Sequence, residues 1–185
     1  MTGRSILVLA PTSSAAGHRN PRESRLKMSK TTPATLALEK AGVSFALATY
    51  EYDPDADSIG LQAAEALGVP PHTVLKTLMA EVDGHPVCVI VPSDHEVSMK
   101  KLAAAFGGKS AQMLKPAAAE RLTGYRVGGI SPFGQKRQVP TAMEEMALLE
   151  PLVFINGGQR GLQVRLAPED AQKAANAKAV ALVAG

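Results

Sequence analysis

The chain has 185 residues, enough for one domain with a real core; 45% are hydrophobic, only 4% are aromatic and none is Trp. Its net charge of +3 belongs to the first 27 residues, which hold five basic side chains and one acid; the other fifteen basic and sixteen acidic residues leave the body at −1. This excludes a body that binds nucleic acid by overall charge. The lone Cys88 excludes an internal disulfide and fits a reducing, cytoplasmic setting, and no run approaches the roughly 20 apolar residues that span a bilayer.

Residues 1–27 read as a disordered N-terminal extension, rich in Ser, Gly, Pro, Arg and Asn with nothing to bury. Residues 6–10 are too short for a secretory apolar segment. Met28-Ser29-Lys30 reads like a fresh start, so a single functional domain is expected over 28–185. Thr32-Pro33 opens a helix that Gly42 ends. Residues 43–52 read as a strand with Tyr50 and Tyr52 on one face. Asp53, Asp55 and Asp57 form an acidic turn, without the Gly and Glu that a calcium loop needs at its sixth and twelfth positions. Residues 58–67 read as a helix stopped by Gly68 and Pro70-Pro71.

Residues 74–82 and 86–91 read as a hairpin around Asp83-Gly84. Alternation puts Val74, Lys76, Leu78 and Ala80 on one face, and Leu75, Thr77, Met79 and Glu81 on the other. Lys76 thus interrupts an apolar face, either snorkelling to solvent or held at a cleft floor. Helices are expected over 98–106 and 116–122, strands over 152–155 and 162–166, and a C-terminal helix over 168–183 with Glu169 and Asp170 in its first turn. Alternating helices and strands make this an α/β chain of mixed α+β character.

Two Gly-rich loops stand out: Gly128-Gly129-Ile130-Ser131-Pro132, followed by Lys136-Arg137, and Asn156-Gly157-Gly158-Gln159-Arg160-Gly161. Glycine lets a ligand lie directly against backbone amides, although most such clusters are plain turns. The usual catalytic devices are missing from the sequence. The histidines lack metal-ligand spacing, Cys88 lies in an apolar strand, and there is no nucleophile elbow, P-loop or complete dinucleotide fingerprint. No metal and no cofactor is expected. An enzyme built this way works by positioning and polarisation.

Thr32-Pro33-Ala34, Val74-Leu75-Lys76-Thr77-Leu78, the run from Thr123 through Gly128 and Pro132 to Lys136, and Gly157-Gly158-Gln159-Arg160-Gly161-Leu162-Gln163 together resemble the YbaK/EbsC family of aminoacyl-tRNA deacylases, related to the editing domains of prolyl-tRNA synthetase. The resemblance runs in register from about Met28 to the C-terminus. It implies one domain with a curved mixed sheet, barrel-like and surrounded by helices. It implies that Lys76 is the key polar group, anchoring the ester end of the substrate. Tyr50, Thr77, Gly128, Gly129, Ile130, Ser131, Pro132, Asn156, Gly157, Gly158 and Arg160 would bind that substrate. The family commonly has Ser where this chain has Asn156.

The implied activity is trans-editing of mischarged tRNA, first of all Cys-tRNA(Pro) and also Cys-tRNA(Cys), in which the substrate's own thiol attacks its ester. Aminoacyl-tRNA is the partner, with prolyl-tRNA synthetase as a second, and neither membrane nor DNA is involved. Local cations, Lys100, Lys101, Lys136 and Arg137, are the candidates for tRNA contact. Three other readings stay open at this level: an Ala-tRNA(Pro) hydrolase of the same superfamily, a non-catalytic tRNA- or synthetase-binding module, and a small-molecule pocket protein.

Overall fold

Thr32 starts the fold as its sequence suggests. In the computed structural model, which describes residues 31–185, the Thr32 hydroxyl accepts from Thr35 N at 3.1 Å and Thr35 Oγ1 accepts from Thr32 N at 2.9 Å. This reciprocal cap and Pro33 set the first turn of α1 (Pro33–Lys40). The extension expected over residues 1–27 lies outside the described residues. The strand expected over 43–52 is shorter: β1 covers Ala46–Thr49. Its partner, β7 (Leu162–Leu166), runs out where Thr49 faces Leu162, so Tyr50 and Tyr52 fall beyond the ladder.

Ser58 caps α2 (Ile59–Leu67), which Gly68 ends in the left-handed conformation. The hairpin is β2 (Val74–Val82) and β3 (His85–Pro92), in register from Leu75 opposite Pro92 to Val82 opposite His85. Asp83 and Gly84 both take positive φ, 48° and 81°, the turn that matches strand twist. There follow α3 (Met99–Ala105), β4 (Ala111–Met113), α4 (Pro116–Thr123), β5 (Thr141–Glu144) and β6 (Val153–Asn156).

The long C-terminal helix expected over 168–183 is not formed. α5 (Pro168–Ala174) stops, Asn176 turns the chain at φ 50°, and β8 (Ala177–Val180) pairs parallel with β5. Buried Glu144 holds the end in place. Its Oε2 accepts from Leu182 N at 2.7 Å and Val183 N at 2.9 Å. A tertiary carboxylate thus overrides the local helix signal of an Ala-rich segment.

The eight strands form one mixed sheet in the order β1-β7-β6-β2-β3-β5-β8, with β4 added to β2. It is apolar on both faces. Leu75, Ile90, Phe133, Met143 and Ile155 belong to one cluster, and Val87, Val89, Val91, Leu102 and Leu182 to another. Among the described residues no helix is long and apolar enough to cross a membrane.

One edge of β2 is interrupted. β6 pairs with it only at Val74 and Leu75, and β4 only at Ala80, Glu81 and Val82. The segment Lys76 to Met79 therefore has no strand beside it on that edge. Ser93 N donates to Val74 O across the β2–β3 ladder. Antiparallel alternation then turns the N–H and C=O of Thr77 away from β3, into the gap.

Candidate active site

The gap holds a cleft of about 320 Å³. Its polar wall follows from strand register. Asn156 on β6 lies opposite Gln163 on β7, and Lys76 and Asn156 each follow the last β2–β6 pair, Leu75 and Ile155, so both turn to the face opposite that pair. Opposed residues share a face. Lys76, Asn156 and Gln163 thus form a row across three strands, and all three line the cleft. Thr77, the first residues of α2, and the apolar Met79, Leu114, Ala119 and Ile130 complete it. Lys76 Nζ lies 3.5 Å from Glu96 Oε1, but the lysine side chain is 20% exposed and the glutamate 88%. Such a pair contributes little to stability and leaves the ammonium free to change partner.

The two Gly loops meet over this row and are bound to each other. Asn156 Nδ2 donates to Gly128 O at 3.1 Å and to Gln159 O at 3.4 Å, while Asn156 Oδ1 accepts from Gly158 N at 2.7 Å. A serine hydroxyl has neither the reach nor the donor count for all three. Arg160 Nε donates to Val127 O at 2.9 Å, and its guanidinium sits 5.3 Å from the centre of the Tyr52 ring. Gly129 and Gly158 are glycine for packing reasons. A Cβ on Gly129 would lie 2.9 Å from Arg160 N, and one on Gly158 would lie 2.8 Å from the Tyr125 ring.

The amides of the first loop divide into two sets. Val127 N donates to Glu120 Oε1 at 3.0 Å and Gly129 N to Arg126 O at 2.8 Å. The amides of Gly128 and Ile130 have no protein acceptor among the described residues, and these two residues line the cleft. Gly129, Ser131 and Pro132 are buried outside its lining. Ser131 supports the loop instead, its carbonyl accepting from Gln135 Nε2 at 3.0 Å. Gly157, Gly158 and Arg160 act through loop packing. Tyr50 stands just outside the cleft, its phenol pushed above the ordinary value by burial and pulled back in part by the Gln163 amide beside it. Neither the phenol nor Gln163 Oε1 completes a hydrogen bond.

Sequence reasoning quoted Gln163 at the end of a family motif and within a strand but gave it no role in the site. The signal was its place inside the Arg160-Gly161-Leu162-Gln163 run and the cost of burying an amide in a strand otherwise bounded by Leu and Val.

The four cations named for tRNA contact part company. Lys101 Nζ donates to Val183 O at 2.8 Å and is committed to the C-terminal segment, and Lys100 is exposed on α3. Lys136 and Arg137 join Arg121 around a second cleft of about 500 Å³, which shares Leu114 with the first. None of these three forms a salt bridge with an acid among the described residues.

Cys88 is fully buried on β3 and its thiol is pushed up to about 12 by desolvation; the Tyr125 phenol, which donates to Phe133 O at 2.6 Å, is also raised to about 12 by burial. A thiol in that state is no nucleophile at neutral pH. Both groups stay neutral in the folded protein after they would ionise in the unfolded chain. Their stabilisation is therefore intact below the ordinary thiol value of 9.0 and is lost as pH climbs towards about 12. Melting temperature measured across that range is expected to fall. Cys88→Ser should remove the thiol's share of the fall, retain that of Tyr125 and leave catalytic turnover unchanged.

Comparison with known proteins gives a consistent family. Residues 53–174 match the model of the aminoacyl-tRNA editing domain. The chain is 38% identical over 122 residues to the Enterococcus faecalis protein EbsC, named for deacylation of Cys-tRNA(Pro) and Cys-tRNA(Cys), covering 65% of this chain and 74% of that one. It is 32% identical over 92 residues to a Geobacter metallireducens proline–tRNA ligase, covering 50% of this chain but only 16% of the ligase. A crystal structure described as that of a trans-editing enzyme for prolyl tRNA synthetase superposes with a TM-score of 0.70 at 22% identity, covering 84% of this chain and 99% of that one.

Proposed function

Because the chain belongs to the aminoacyl-tRNA editing domain family, we propose that it is a trans-editing deacylase that clears mischarged tRNA, with Cys-tRNA(Pro) as its principal substrate. The observation that carries this reading is the interrupted edge of β2, where Lys76, two uncommitted loop amides and an apolar wall surround a cleft sized for an aminoacyl ester. The ester carbonyl lies against the Gly128 and Ile130 amides, which stabilise negative charge as it develops there. Lys76 exchanges Glu96 for the ester end and the terminal ribose. Met79, Leu114, Ala119 and Ile130 receive the amino-acid side chain.

The nucleophile comes with the substrate. The cysteinyl sulfur attacks its own carbonyl carbon, the bond from that carbon to the ribose oxygen breaks, and the thiol proton ends on that oxygen. The products are a cyclic thiolactone and uncharged tRNA. Holding sulfur and carbon together supplies several kcal/mol of the barrier. The enzyme works in the cytoplasm on aminoacyl-tRNA, alone or beside prolyl-tRNA synthetase.

Deacylation of Cys-, Ser- and Ala-tRNA(Pro), with and without the synthetase, tests this. Cysteinyl substrate should be cleared far faster than seryl, since a thiol is the better nucleophile at neutral pH. Alanyl substrate cleared as fast as cysteinyl would overturn thiol assistance and indicate a held water.

Lys136, Arg137 and Arg121 hold the phosphates that follow the terminal adenosine. Their replacement by Ala should weaken tRNA binding for every aminoacyl group alike. Each loss should flatten the logarithmic salt dependence of binding by roughly 0.7 per phosphate contact.

A further inference from the structure

The cleft carries a specific hydrogen-bond deficit. Among the described residues four buried side-chain atoms have no partner, and all four are oxygens: Thr77 Oγ1, Gln163 Oε1, Tyr50 Oη and Gln62 Oε1. Thr77 and Gln163 line the cleft, and Tyr50 adjoins Gln163. Gln62 lies elsewhere, its Nε2 donating to Glu51 O at 3.1 Å. Gln163 is 3% exposed, so solvent does not make good what it lacks. An orphaned buried acceptor is costly, and a folded protein keeps one where a ligand brings the donor.

Gln163 Oε1 can only accept, so what it lacks is a donor; the Thr77 and Tyr50 hydroxyls can both donate and accept. A primary ammonium has three donors and no acceptor. Gln163 Oε1 has two lone pairs, neither of them filled in the structure.

Resting on the deacylase reading, we infer that Gln163 is the recognition site for the free α-ammonium group of the aminoacyl ester. Lys76 and the loop amides hold the carbonyl end, and Gln163 fixes the other end of the same residue. Rotation about the Cα–carbonyl bond is thereby restricted and the side chain is directed at the apolar wall. The enzyme then distinguishes a free aminoacyl group from one whose nitrogen is already acylated, such as a formylated or peptidyl ester.

The test is a cycle between enzyme and substrate. Wild type and Gln163→Leu are assayed on Cys-tRNA(Pro) and on N-acetyl-Cys-tRNA(Pro). Wild type should lose about ten- to a hundredfold in kcat/KM when the nitrogen is acetylated, the size expected for a hydrogen bond to a charged group. Gln163→Leu should lose a similar factor on the free substrate and nothing further on the acetylated one. Leu removes an orphaned polar atom at nearly constant volume, so its melting temperature should stay level or rise while activity falls. A purely structural glutamine would give the opposite.

Equal rates of wild type on the two substrates would overturn the assignment, as would a Gln163→Leu enzyme that remains sensitive to acetylation. If wild type cleaves neither substrate, it is the deacylase reading that fails. Gln163→Met, which also keeps shape and removes the orphan, provides a second cycle should Gln163→Leu not fold.

Discussion

Lys76→Ala is expected to lower deacylation by roughly 10²–10³-fold, the usual cost of removing one preorganised electrostatic contact, while melting temperature stays put. The two halves have separate causes. Stability is spared because the pair with Glu96 joins a side chain 20% exposed to one 88% exposed, and pairs of that kind contribute about 0–1 kcal/mol. Activity is not spared because Lys76 is the cation in the row that borders the cleft. Glu96→Gln serves as the control: it frees the ammonium without removing it and should leave turnover nearly unchanged. A Lys76→Ala enzyme within about twofold of wild type would falsify the role given to this lysine.

Gly129→Val is expected to damage stability and activity together. Its Cβ would lie 2.9 Å from Arg160 N and 3.1 Å from Gln159 C, both backbone atoms with no freedom to rotate away. The loops must separate, which strains the Asn156 contacts to Gly128 and Gln159 and the Arg160 contact to Val127. Overpacking and lost polar partners together cost about 2–5 kcal/mol, which for a domain of this size is on the order of 10 °C in melting temperature. Calorimetry and single-turnover kinetics on the same preparation check this. Unchanged melting with abolished turnover would mean that Gly129 faces substrate rather than its neighbouring loop.

The β2–β3 hairpin, both of its turn residues and the starts of α1, α2 and α3 are legible in the sequence because their signals are local. What the chain does at a distance is not. A helix through residue 183 follows from Ala-rich composition, yet Asn176 and buried Glu144 redirect that segment into the sheet. Tyr50 and Tyr52 leave their strand because the partner strand ends, which no local pattern records. Lys76 was legible as a misfit in an apolar alternation. Gln163 and the apolar wall were not, since they become a site only when strands far apart in sequence align. The glycines of both loops were legible as unusual, but that they make room for each other appears only in three dimensions.

The break in pairing along β2 has a consequence for self-association. Unpaired strand edges ordinarily recruit strands from other molecules and seed aggregates. Here the bare stretch runs only from Lys76 to Leu78, with β6 closing one end and, at the other, Leu114 N donating to Met79 O ahead of β4. Three residues amount to about 10 Å of strand, a berth too short for an invading chain to gain a stable ladder. An edge framed on both sides can therefore stay open to small esters while remaining closed to polypeptide.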